Sequence, residues 1–213
     1  MRLFSSLSAV LALTVTVGLS AAQAVPVIFD FQNGINGTNG TYGPLVATQG
    51  GITVTATGGI YSGLTDTIIN TNIQTVTKTN TGLGVDCVVV PAFCDNQIDG
   101  DGLVDDLLTL TFSEVVDFTS VFFRLIEEND DFDLWIDGIL VSSDVTIQGN
   151  NPYSLTGLTG TSISFGADAG NDDFRLGSIT VDTIPAPVPL PAGGILLVGA
   201  LGGLAALRRK PQA

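Results

Sequence analysis

Alternating apolar and polar side chains recur through the middle of this chain and predict β-strands. Gly51-Ile-Thr-Val-Thr-Ala-Thr57 alternates aliphatic and hydroxyl side chains, the period-two pattern of a half-buried strand. Leu107 to Phe112 repeats it, and Ser120 to Ile126 reads as a mostly buried strand. Shorter apolar or β-branched runs at Val25–Phe31, Ile68–Thr79, Val85–Val90, Thr161–Phe165 and Phe174–Asp182 extend the series. Asp131–Ile136, then Asp137-Gly138, then Ile139–Val141 predicts a hairpin, because Asp-Gly suits the positive φ angles of a type I′ turn. In its first strand Asp131, Asp133 and Trp135 share one face, and Phe132, Leu134 and Ile136 share the other. About ten short strands, punctuated by 26 glycines, predict an all-β fold. The specific expectation is an antiparallel, jelly-roll-like β-sandwich over residues 25–184, enough chain for one domain.

The pattern changes at both ends. Arg2, the apolar run Leu3–Leu19 and Ala22-Gln23-Ala24 have the order of a signal peptide over residues 1–24, cut after Ala24. An uncleaved N-terminal membrane helix is the alternative. After the stiff linker Ile184-Pro-Ala-Pro187 come Val188-Pro189-Leu190-Pro191-Ala192, an apolar run to Leu207, and Arg208-Arg209-Lys210. Val188 to Leu207 carries no charge. As a helix this stretch reaches about 30 Å, which predicts a transmembrane span with the three cations as a cytoplasmic stop-transfer signal.

This order of Pro-x-Pro turn, glycine-rich apolar segment and basic cluster resembles the VPLPA variant of the PEP-CTERM sorting tail of Gram-negative bacteria. The resemblance covers Val188 to Lys210. It implies an exported precursor held in the inner membrane, cleaved by an exosortase-type enzyme, and then found at the cell surface or outside the cell. It also implies association with exopolysaccharide or a biofilm matrix. Leu190 stands where the eponymous family has Glu, which implies a processing enzyme of the variant type. An ordinary uncleaved C-terminal anchor is the alternative. The body resembles the β-sandwich ectodomains that precede such tails, through Phe29-Asp-Phe31, Gly82–Val85, Asp95–Gly100 and the strands Leu107–Phe112 and Phe174–Val181. That resemblance implies a module and no chemistry.

Charge narrows the partners. All 21 acidic residues lie between Val25 and Ile184, where only Lys78, Arg124 and Arg175 oppose them, leaving −18. Such a surface repels nucleic acid and anionic headgroups. The chain has no histidine, which excludes imidazole acid–base catalysis and histidine metal ligation. No G-x-S-x-G or zinc motif appears, and paired carboxylates arise by chance among 18 aspartates. The expectation is a protein that is not an enzyme.

Cys87 and Cys94, separated by a segment with Pro91, predict a structural disulfide in an oxidising compartment. The loop is short, so its stabilisation falls at the low end of about 2–4 kcal/mol. From Asp95 to Asp106 a glycine-broken loop carries Asp95, Asp99, Asp101, Asp105 and Asp106. Carboxylates at that density suit calcium, whose oxygens converge at about 2.4 Å. Two calcium-loop frames fit in part: Asp99, Asp101, Gly102 and Asp105, or Asp95, Gln97, Asp99, Gly100 and Asp106. A solvated acidic turn fits as well. Glu127 to Asp133 is a second acidic connection, and Asn171-Asp172-Asp173 a third acidic stretch.

Trp135, on the polar face beside Asp131 and Asp133, is a candidate platform for a sugar ring, unless a neighbouring loop covers it. Tyr42, Tyr61 and Tyr153 are further aromatics of that kind. These residues lead to three functional readings. The first is a non-catalytic structural or adhesive matrix protein, the second a calcium-assisted carbohydrate-binding module, and the third, least supported, a glycoside hydrolase.

Overall fold

The computed structural model describes residues 24–33, 36–86, 96–100, 105–167, 171–184 and 192–207. The chain divides into two units: Ala24–Ile184, and the two terminal stretches together. The first unit is all-β. Its strands are β1 (Pro26–Asp30), β2 (Gly40–Tyr42), β3 (Leu45–Gln49), β4 (Ile52–Ser62), β5 (Thr67–Thr79) and β6 (Gly82–Asp86). They continue with β7 (Ile98–Asp99), β8 (Asp105–Arg124), β9 (Asp131–Ile136), β10 (Ile139–Thr146), β11 (Tyr153–Gly166) and β12 (Asp173–Thr183).

The strand predicted at Leu107–Phe112 and the one predicted to begin at Ser120 are parts of one long element, β8. The polar positions between them, Ser113, Glu114 and Asp117, hide this continuity in the sequence. They are exposed or half-exposed, and they sit where β8 changes partner. Its first half pairs antiparallel with β4, from Tyr61↔Asp105 to Val54↔Phe112. Its second half pairs with β12, from Val116↔Thr183 to Arg124↔Arg175. Because β4 also joins β5, β5 joins β6, and β6 joins β12, the five strands β4-β5-β6-β12-β8 close into a ring. The expected jelly-roll sandwich is thus replaced, on topology, by a closed five-stranded barrel with added strands.

The ring closes at a narrow point, the single pairing Leu176↔Leu83. Gly82 stands beside it at φ +133°, and a Cβ there would meet the Leu176 carbonyl oxygen at 2.3 Å. Only glycine tolerates both demands. Outside the ring, β11 runs along the free side of β8, and the β9–β10 hairpin extends the sheet from β11. The hairpin turn is the predicted one, with Asp137 at φ 49° and Gly138 at φ 77°. The predicted strand Val85–Val90 coincides with β6 as far as Asp86, and its remainder lies outside the described residues.

The core is rich in phenylalanine. Phe29, Phe112 and Phe118 meet edge to face, as do Phe123, Phe165 and Phe174, at centroid separations of 5.1–5.8 Å. Full burial of each ring contributes about 1.5–3 kcal/mol, and each aromatic pair about 0.5–1.5 kcal/mol more. A second, smaller cluster of Tyr61, Leu107 and Trp135, with Ile68 against it, is separate from this core.

In the other unit, one helix, α1 (Ala192–Leu207), is described. It is uncharged, and its 16 residues span about 24 Å. The expected span from Val188 would have been longer, and Val188–Pro191 lie outside the described residues. Among the described residues no helix is long and apolar enough to cross a membrane. Arg208, Arg209 and Lys210, the signal segment 1–23, Cys87 and Cys94 lie outside the described residues too.

Candidate functional site

Three acidic segments that are far apart in sequence meet at one corner of the barrel. Asp99 in β7 pairs with Asp173 at the start of β12, and the Gly100 amide donates to the Asp172 carbonyl at 3.1 Å. The β8–β9 connection joins them, since Asn129 Nδ2 donates to the Asn171 carbonyl at 2.9 Å. Asp130 locks the junction. Its Oδ2 accepts the Glu127 amide at 2.5 Å, its Oδ1 accepts the Asp173 amide at 3.4 Å, and its carbonyl accepts the Ile147 amide at 2.9 Å.

Asp130 has no exposed surface. Burial pushes its carboxyl pKa up. The amides of Glu127 and Asp173 pull the other way, and the charges of Glu127 and Asp131 add to the rise. Fixed in this way, Asp130 acts as a clamp on backbone amides. The corner concentrates negative charge from three chain segments, and what it can do chemically is attract a cation. Among the described residues no three carboxylates are gathered in an arrangement that would hold a metal ion.

Of the expected calcium loop, Asp99, Asp105 and Asp106 are among the described residues. Asp95 and Asp101 lie outside the described residues. Asp105 and Asp106 are consecutive in β8, so their side chains point to opposite faces of the strand. Asp106 shares the parity of Leu108, Leu110 and Phe112, which belong to the main core. Asp105 shares the parity of Leu107, and its Oδ2 accepts the Gly63 amide at 2.9 Å. Both are buried, Asp105 under the β4–β5 turn. No single ion touches both.

Trp135 is also covered. The predicted face assignment holds: Phe132, Leu134 and Ile136 enter the main core, and Trp135 points the other way. That other face is buried as well. Trp135 is 1% exposed, its Nε1 donates to the Asp66 carbonyl at 3.2 Å, and Tyr61 packs edge to face on it at 4.9 Å. Residues 63–66, the β4–β5 turn, therefore close over the expected sugar platform. Gly166 makes the packing possible, because a Cβ there would lie 2.5 Å from Tyr61 Cε1.

The neighbouring acids serve the backbone. Asp133, fully buried, accepts the Asp144 amide at 2.9 Å and so holds the bulge in β10, where Asp144 takes φ 52°. Asp131 is half-buried beside it, opposite Thr146. Trp135, Asp131 and Asp133 do not form an open ligand surface.

Two polar residues take roles that their sequence context did not signal. Asp137, at the hairpin turn, accepts four hydrogen bonds on Oδ1 from the amides and hydroxyls of Thr161 and Ser162, at 2.8–3.2 Å. Burial alone would raise its pKa, and these bonds outweigh it, so the carboxyl titrates below its ordinary value. Lys78, read as part of a strand and as one of three cations opposing the acids, is 1% exposed. Its parity with Val76, a main-core residue, turns it inward. Burial lowers its pKa against the opposing pull of Asp30. A polar strand pattern of Thr, Asn and Gln gave no sign that one of its faces would be interior.

No family model matches the chain, and neither curated proteins nor solved structures yield a match.

Proposed function

We propose that this is an exported, non-catalytic structural or adhesive protein of the cell envelope or extracellular matrix, sorted by an exosortase-type enzyme through its VPLPA-type tail. The order of parts carries this reading: a signal-like start, one β-unit from Ala24 to Ile184, a Pro-rich linker, and then Val188–Ala192, an apolar helix and Arg208–Lys210. The barrel unit supports it by what its polar side chains do. Asp130, Asp133 and Asp137 hold backbone amides, the work of a scaffold. With α1 at 16 residues, the tail enters the proposal as a recognition and anchoring signal. Exopolysaccharide is the proposed surrounding, and the charge of −18 disfavours nucleic acid.

The test is location and processing in a producing cell. The reading expects the β-unit outside the cell, with a new C-terminus in or near Val188–Ala192, and retention of the whole chain when the exosortase-type enzyme is deleted. A cytoplasmic chain that keeps Arg209 and Lys210 refutes it.

A second reading, calcium-assisted carbohydrate binding, is favoured by the meeting of three acidic segments at Asp99, Asp130 and Asp172–Asp173. It no longer includes Trp135 as a platform. A pull-down on the producer's exopolysaccharide, in calcium and in EDTA, separates the two. Retention lost in EDTA supports the second reading, and no retention in either condition removes it.

A further inference from the structure

A strand at the edge of a sheet carries a row of main-chain donors and acceptors with no strand to bond. Folds blunt such edges by keeping them short, bulged or charged. Among the described residues β1, β2, β3, β7 and β10 each pair with one neighbour. The first four have five residues or fewer. β10 has eight, and it stands at the end of the sheet, beyond β9.

The two halves of β10 differ. The second is already engaged: the Asp144 amide donates to Asp133 Oδ1 at 2.9 Å, and the Thr146 carbonyl accepts Asn150 Nδ2 at 3.2 Å. Register shifts after Leu140 and after Ser142 bend it, which keeps the open stretch short. The first half, Ile139-Leu-Val-Ser-Ser143, carries no charge in a unit of net charge −18. Ile139, Leu140 and Val141 are 71%, 39% and 41% exposed. Three consecutive apolar side chains left in water at an open sheet edge are what a further strand covers.

We propose that β10 is a self-association edge, at which two copies of this chain pair antiparallel about a two-fold axis. The main-chain groups of the edge call for an extended polypeptide, which a sugar or a lipid does not offer. The uncharged stretch calls for an uncharged, apolar strand whose own edge is open, and the fold supplies one in every copy. An axis at Val141 sets Ile139 opposite Ser143 and Asp144 opposite Gly138, so no acid faces an acid across the pair. Over the rest of their surfaces two copies at −18 repel each other, and this edge lets them approach. Two-fold pairing uses the same edge on both copies and closes at a dimer. The contact is small, and interfaces below about 1,200 Å² belong to weak complexes. The inference goes beyond the proposed function. It is read on the purified chain, so its failure leaves export and tail processing untouched.

The experiment is sedimentation equilibrium of the full chain in a density-matched detergent, from micromolar to about 1 mM, in low and high salt. Amide hydrogen exchange is followed at both ends of that range. The expected result is a monomer–dimer equilibrium that salt strengthens, because screening relieves repulsion between the copies. The amides of Ile139–Ser143 should slow as the dimer forms. Val141→Lys sets two cations against each other at the axis and should weaken association about tenfold or more. Val46→Lys, the same charge change at a 60% exposed position on β3, should leave association unchanged. Both variants should melt as wild type does. A chain that stays monomeric throughout overturns the proposal. A dimer that survives Val141→Lys, or whose β10 amides exchange at the monomer's rate, reports association through the tail or another face and overturns it too. A dimer that salt weakens is held by ion pairs, and that result also contradicts an uncharged edge.

Discussion

The two places where the sequence suggested ligand chemistry differ in exposure: Trp135 is buried, whereas the acidic corner keeps Glu127, Glu128 and Asn129 exposed around a buried Asp130. On the outer face of β9 an aromatic residue that pattern placed among polar neighbours is sealed by the β4–β5 turn, and Trp135 becomes the centre of a small second core with Tyr61 and Leu107. At the acidic corner, carboxylate-bearing segments from three parts of the chain are drawn together by backbone pairing, and Asp130 is consumed in holding two amides. The first region is closed by packing, and the second is held together by hydrogen bonds with an exposed acidic rim. Parity along a strand gives the face a residue occupies. Whether that face sees solvent depends on what the rest of the chain lays over it.

That contrast can be broken by mutation, beginning with the aromatic site. Trp135→Ala should cost about 3–5 kcal/mol in chemical denaturation, the usual range for emptying a buried aromatic site. A Trp135→Ala protein of unchanged stability that loses glycan retention would return the residue to the role of platform. Gly166→Ala should cost about 1–3 kcal/mol, because the new methyl is driven into the Tyr61 ring.

At the acidic corner, Asp130→Ala should cost about 1–3 kcal/mol by leaving buried amides without an acceptor. Its pH behaviour has the opposite sign to that of an ordinary paired carboxylate. The folded-state pKa is raised, so the folded protein binds the proton more tightly than the unfolded chain. The Asp130 contribution is therefore complete below the unfolded value of about 4 and is lost as pH rises through the raised folded value. Asp137, whose pKa is lowered, contributes stability above about 4 and loses it as pH falls through the lowered value. Denaturation midpoints of Asp130→Asn and Asp137→Asn across the acidic range should diverge from wild type in opposite directions. Parallel curves would refute both assignments. Asp137→Ala itself should cost about 1 kcal/mol, since its hydrogen bonds are largely solvent-accessible. Calcium should have the smallest effect, a slight rise in melting temperature reversed by EDTA and reduced in Asp173→Asn. A large, saturable rise would favour the binding-module reading.

Much of the fold was legible from local pattern. Thr-rich alternation at 51–57, the β-branched run at 68–79 and the Asp137-Gly138 turn correspond to β4, β5 and the β9–β10 hairpin. These features depend on residues near one another in sequence. The closed ring was not legible, because it depends on β8 pairing with β4, 44 to 58 residues before it, and then with β12, 51 to 67 residues after it. The exchange takes place across Ser113–Asp117, whose polarity looks like a break between strands. Asp105 and Asp106 were grouped as ligands on spacing alone, and their place inside β8 separates them. Lys78 was missed because Thr, Asn and Gln neighbours on β5 mask an inward position. The meeting of residues 98–100, 127–131 and 171–173 had only composition as a signal, and composition does not bring segments together.

The central claim is that the tail addresses a scaffold-like β-unit to the outside of the cell, and the most direct test is to follow that unit's C-terminus. Peptide mapping of the chain recovered from the medium or cell surface should end within or next to Val188–Ala192. Recovery only inside the cell, with the chain continuing through Arg208–Lys210, would contradict the account.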